Sequence, residues 1–85
     1  MRITFEQFIT IVKKAKEADK LFILDLNDVV KLYFNENNIC FELKDFSFEV
    51  NEYSISCIDF YDDVIYFTVN NRYHSLRCYQ ETKFK

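Results

Sequence analysis

Residues 39–50 read ICFELKDFSFEV. Ile39, Phe41 and Leu43 alternate with other residues, and so do Phe46, Phe48 and Val50, but the two sets have opposite parity. Successive side chains of a strand point to opposite faces, so an apolar face changes parity only where a turn or an extra residue intervenes. The stretch therefore reads as two short strands with a turn or bulge at Lys44-Asp45. Each strand covers one face and leaves the other to solvent.

The same logic extends toward the C-terminus. Asn51-Glu52, Asp62-Asp63 and Asn70-Asn71 separate β-rich runs at 46–50, 53–60, 64–69 and 73–79, about ten residues apart, as in an antiparallel meander. A switch of parity between Ile55/Cys57 and Ile58/Phe60 predicts a bulge near Cys57. Two such breaks curl a sheet strongly. Toward the N-terminus, run 21–26 is apolar enough for a strand covered on both faces, and Asn27-Asp28 punctuates it. Run 29–34 and the strand at 39 flank an Asn-rich tetrapeptide, 35–38, which reads as a hairpin. A short helix over 28–34, capped by Asn27, is the local alternative.

The chain opens with a helix. Thr4 and Gln7 fit a capping box, and Phe5, Phe8, Ile9, Val12 and Ala15 then recur at helical spacing. The helix is predicted from about residue 5 to about residue 19. The expected class is α+β: one domain, 1–85, with an amphipathic N-terminal helix packed on a curved five- to six-stranded antiparallel meander. Its expected core is Phe5, Phe8, Ile9, Val12, Phe41, Phe48, Phe60, Phe67 and Leu76. A helix followed by five short curved strands resembles the Sm-like and SH3-like barrels in architecture, and a helix with such a barrel is the alternative.

The 85 residues include no glycine and no proline. Asn and Asp must then supply the left-handed turn conformations that glycine usually takes. Phosphate-binding glycine loops, dinucleotide fingerprints and G-x-S-x-G elbows are excluded. No stretch approaches the roughly 18 apolar residues of a membrane span, and nothing at the N-terminus reads as a signal peptide, so the expected setting is the cytoplasm, of a cell or of an infected host. Cys40, Cys57 and Cys78 are odd in number, lack C-x-x-C spacing and sit in apolar runs, so they are expected to be reduced and buried. With His74, the single histidine, they show no metal-ligand or dyad spacing. No metal, cofactor or catalytic residue is expected. Asp62-Asp63 reads as turn chemistry.

Charge is the feature above background. Residues 21–70 hold ten carboxylates against Lys31 and Lys44, a net of −8, whereas residues 1–20 carry +2 and residues 71–85 carry +3. The expected function is a small acidic protein-interaction domain that occupies the basic surface of a nucleic-acid-handling protein or toxin. Phage anti-defence, anti-CRISPR and immunity proteins offer the analogy of class. The candidate partner-binding residues are Glu42, Asp45, Glu49, Glu52, Tyr53, Asp59, Tyr61, Asp62 and Asp63. Glu42 and Glu49 are expected to face outward, with Tyr53 or Tyr61 as an aromatic anchor. Monomer and homodimer fit the sequence equally. The alternative is a nucleic-acid-binding module using the Arg72–Arg77 strand, where Tyr73 and His74 interleave with arginine, together with the helix lysines. The −8 centre opposes that reading, because it repels phosphate.

Overall fold

A computed structural model of the chain describes residues 1–80, with side chains as far as Cys78. The elements are α1 (Phe5–Glu17), β1 (Lys20–Leu24), β2 (Asp28–Asn35), β3 (Asn38–Glu42), β4 (Ser47–Val50), β5 (Ile55–Tyr61), β6 (Val64–Val69) and β7 (Arg72–Gln80). They form one helix on a curled antiparallel sheet, a half-barrel.

The capping box forms as expected: Thr4 Oγ1 accepts from Gln7 N–H at 3.1 Å, and Gln7 Oε1 accepts from Thr4 N–H at 2.9 Å. Phe8, Val12 and Ala15 are buried, while Phe5 and Ile9 are partly so. The helix stops two residues before the expected end. Asp19 takes φ 57°, a left-handed conformation that halts it in the absence of glycine.

The sheet has seven strands rather than five or six, in the order β4-β3-β2-β1-β7-β6-β5. Two meanders are thus joined by β7 pairing with β1, a closure between distant runs that local pattern does not encode. Residues 28–34 belong to strand β2; the helical alternative there fails because Val30 and Leu32 are buried at strand period. The breaks at Lys44-Asp45 and Cys57 are both present. The β5–β6 register shifts between Ser56 and Asp59, and Cys57 takes φ 52°.

The curl follows from connectivity. β4 and β5 are the outermost strands, yet only residues 51–54 join them. A flat seven-stranded sheet would set its outer strands about 29 Å apart at about 4.8 Å per step, while the five Cα–Cα steps from Val50 to Ile55 reach only about 18 Å. The sheet must roll until its margins approach. Phe41 of β3 then meets Phe67 of β6, with ring centroids 5.9 Å apart, and Phe8 of α1 covers Phe67 at 5.5 Å. Phe8, Phe41, Phe67 and Leu76 are wholly buried in this core, whereas Phe48 and Phe60 are partly buried at its margin.

Turn chemistry replaces glycine. Asp62, Asp63, Asn70 and Asn71 all have positive φ, as two-residue hairpins of this hand require. Asn51 works differently: its Oδ1 accepts from Tyr53 N–H at 2.8 Å and Ser54 N–H at 3.0 Å, an Asx turn without left-handed backbone. Leu26, expected at the end of an apolar strand, instead sits in the β1–β2 turn, exposed and at φ 78°.

Candidate functional site: the acidic flank of β3 and β4

The outer face of β2–β4 is set by the pleat. Val30, Leu32, Ile39, Phe41 and Val50 turn inward, so Lys31, Tyr33, Cys40, Glu42, Ser47 and Glu49 turn outward. Glu42 and Glu49 therefore face solvent, as their alternation with the aromatic rows predicts.

Glu49 is held in place. Asn38 Nδ2 donates to its Oε1 at 3.1 Å, and the Cys40 thiol donates to its Oε2 at 3.0 Å. Both bonds favour the charged form, the thiol's most, and keep the carboxyl below the usual glutamate range. The thiol is raised in turn by that bond, then by burial and the neighbouring charge. Glu42 lies opposite Lys31 in the β2–β3 register. The Glu42 carboxylate, on the same outer face, pushes the Tyr33 phenol above its ordinary range.

The connections at either end of β4 extend this flank. Asp45 is exposed in the β3–β4 turn beside Asp28 and Lys44. Glu52 and Tyr53 are exposed in the Asx turn that follows β4, and Tyr53 is 89% exposed on a backbone pinned by Asn51. Thus Glu42, Asp45, Glu49, Glu52 and Tyr53 belong to β3, β4 and their connections.

Asp59, Tyr61, Asp62 and Asp63 belong instead to β5 and its hairpin. Asp59 pairs with Arg2 at 3.3 Å. Asp63 shares a depression with Lys14 and Lys20. Tyr61 is exposed at the end of β5. The cations among these acids come from the N-terminal segment, α1 and the start of β1, which the linear charge count treats as separate.

The basic groups do not converge either. Lys13 and Lys16 lie over the Phe34 and Tyr33 rings of β2, 5.3 and 5.5 Å from their centroids. Arg72 and Arg77 lie on β7. There Tyr66 and Tyr73 stack at 6.0 Å beside Arg77, whose Nε is buried with no hydrogen-bond partner among the described residues. Glu81, Lys83 and Lys85, which complete the basic C-terminal count, lie outside the described residues.

Three features lie beyond the sequence reading. Phe46 shares the inward parity of Phe48, yet it is 59% exposed, because it precedes the first paired residue of β4. Cys57 is exposed at the bulge, not buried in a strand. His74 has an orienting carboxylate: Asp25 Oδ2 lies 2.9 Å from its Nδ1, and Asp25 Oδ1 accepts from Ser75 N–H at 3.1 Å. These partners are 49 and 50 residues apart, and β1–β7 pairing alone brings them together.

Among the described residues no helix is long and apolar enough to cross a membrane. No family model matches the chain, and no curated protein or solved structure matches it.

Proposed function

We propose that this chain is a small acidic protein-interaction domain, an inhibitor or decoy that binds the basic surface of a nucleic-acid-handling protein or of a toxin. One observation carries the reading: Glu49 is held, ionised, by two hydrogen bonds on an outer face that also bears Glu42, with Asp45 and Glu52 at the two ends of the same strand. Carboxylates fixed on a sheet can engage the lysine and arginine groups that otherwise hold a nucleic-acid backbone. Fixed side chains also lose little rotamer freedom on binding. Tyr53 and Phe46 are exposed aromatics at the ends of β4 and provide anchors. Asp59, Tyr61, Asp62 and Asp63 form a second acidic group, which Arg2, Lys14 and Lys20 partly offset.

The analogy of class is with phage anti-defence, anti-CRISPR and immunity proteins. We read the chain as a binding domain and not as an enzyme, acting in the cytoplasm of a cell or infected host, where unpaired cysteines stay reduced. The stacked Tyr66–Tyr73 pair beside Arg77 supports a second reading, a stacking surface for single-stranded nucleic acid.

Salt-graded capture from the native host tests the first reading, with wild type compared against a Glu42→Gln, Asp45→Asn, Glu49→Gln, Glu52→Gln variant. The identified partner is then titrated with both proteins. Equal affinity for the two would overturn it. Saturable binding of single-stranded DNA or RNA that depends on Tyr73 and Arg77 would establish the second reading.

A further inference from the structure

We infer that β4 accepts an added strand: an extended, lysine- or arginine-rich segment of the partner pairs antiparallel along Ser47–Val50. This rests on the acidic-flank reading and specifies how that flank is used.

The two margins of the sheet differ. Along β5 the backbone of residues 1–3 fills the outer edge, with Ile3 N–H donating to Ile58 O at 2.9 Å and Phe60 N–H to Met1 O at 2.8 Å. Arg2 lies opposite Asp59 in the same bridge. Along the outside of β4 no strand is paired among the described residues.

Antiparallel geometry identifies the free groups. Leu43 N–H donates to Phe46 O at 2.8 Å, which makes 43 and 46 a hydrogen-bonded pair. Hydrogen-bonded and non-hydrogen-bonded pairs alternate, so Phe41/Phe48 and Ile39/Val50 are bonded in the same way. Ser47 and Glu49 consequently turn their N–H and C=O away from β3, toward the open edge. The next outward position is already used: Asn51 N–H donates to Ser54 Oγ at 3.0 Å, and Asn51 O accepts from Ser54 and Ile55. Two donors and two acceptors, all from Ser47 and Glu49, remain for an incoming strand.

Edge strands are usually blunted by lysine, proline or a bulge. β4 is short, but its sequence carries none of these. Its charged surroundings are Asp45, Glu49 and Glu52, with Glu42 on the neighbouring strand, itself opposite Lys31 of β2, and Lys44 as the cation in the turn. Charge therefore selects the occupant. A second copy of β4 would bring two Glu49 carboxylates onto one face, a repulsive arrangement. A segment alternating cationic and apolar residues instead sets its cations beside Glu49 and Ser47, beyond which Glu42 lies on β3, and its apolar side chains on the side of Phe48. Backbone bonds supply affinity and the alternating side chains supply selectivity.

The probe is an acetylated, amidated peptide alternating Lys and Val over eight residues, with two further versions N-methylated on every second amide, one in each phase. Binding is followed at low salt by titration and by amide exchange of the ¹⁵N-labelled protein. The parent peptide should bind saturably, slow exchange of the Ser47 and Glu49 amides, and lose about tenfold or more in affinity when methylated in one phase. Ser47→Pro should lose similarly, since it removes an outward N–H and spares the ladder to β3. Its unfolding transition serves as the folding control, and the methylated peptides decide the matter if it does not fold. Equal affinity for all three peptides, protection elsewhere or no saturable binding would each overturn strand addition. The acidic-flank reading is judged separately: it fails if the four-carboxylate variant binds the parent peptide as tightly as wild type. It survives if that variant weakens binding while methylation does not.

Discussion

Phe48 and His74 lie face to face, with ring centroids 5.6 Å apart and planes 21° from parallel, although three strands separate β4 from β7 in the sheet. Phe67, the cross-strand neighbour of His74, lies 5.6 Å from the imidazole, and Asp25 fixes the ring edge. The histidine thus fills the place where the rolled sheet meets itself. This contact ties the acidic flank to the core, because Phe48 sits between Ser47 and Glu49.

Truncation measures that coupling. Phe67 is wholly buried against Phe8, Phe41 and His74, so Phe67→Ala should cost about 3–5 kcal/mol. Phe48 is only partly buried, so Phe48→Ala should cost less. Urea unfolding checks both, through a lowered midpoint at unchanged slope. A Phe67→Ala protein with the wild-type midpoint would contradict this core.

Among the residues at positive φ, Leu26 is the bulky apolar one. A leucine at φ 78° pays a steric penalty that Asn tolerates better, and its side chain is 71% exposed, so little packing is lost on replacement. Leu26→Asn should stabilise the protein by about 0.5–1 kcal/mol. Thermal unfolding at matched concentration reads the gain, and a lower midpoint would show that Leu26 makes contacts worth more than the strain.

The periodicities of the chain made the helix, its capping box, the Lys44-Asp45 break and the Cys57 bulge legible, because each is a local rule of spacing. The left-handed pairs Asp62-Asp63 and Asn70-Asn71 were legible too, since no glycine competes for those positions, but in the 35–38 hairpin it is Glu36 and not an asparagine that takes positive φ, at 58°. Non-local closure was not. β7 pairing with β1 is written in no short window, and through it Asp25 reaches His74 and Ser75. The site was legible by parity for Glu42 and Glu49, but linear charge counting could not foresee Arg2 against Asp59, or Lys14 and Lys20 beside Asp63.

Thiol chemistry gives a sharper check on the flank. Cys57 is exposed, whereas burial raises the Cys78 thiol and the Glu49 bond raises that of Cys40. At pH 8, Cys57 should react first with a disulfide reagent, and Glu49→Ala should accelerate Cys40 specifically. The signs for stability follow. The lowered Glu49 carboxyl contributes stability above its ordinary value of 4.5, lost as pH falls through the lowered one. The raised Cys40 thiol contributes below its ordinary value of 9.0, lost as pH rises through the raised one. The Cys40→Ala stability difference should therefore be flat between those limits and shrink outside them.

Salt dependence tests the functional proposal most directly. The Debye length falls from about 30 Å at 0.01 M to about 10 Å at 0.1 M, so attraction between an acidic flank and a basic partner should weaken steeply over that range, mostly through slower association. Single removals at the rim should each cost under about 1 kcal/mol. The four-carboxylate variant, Glu42→Gln with Asp45→Asn, Glu49→Gln and Glu52→Gln, should lose more than about tenfold in affinity and most of the salt slope. Its fold should persist, since all four side chains are exposed. A matched variant at Asp62→Asn and Asp63→Asn should change little, because Lys14 and Lys20 already border that hairpin. Stopped-flow association and equilibrium titration against the captured partner provide both readouts. If the hairpin pair carries the salt dependence and the β3–β4 carboxylates do not, the docking surface lies on β5 and not on β4.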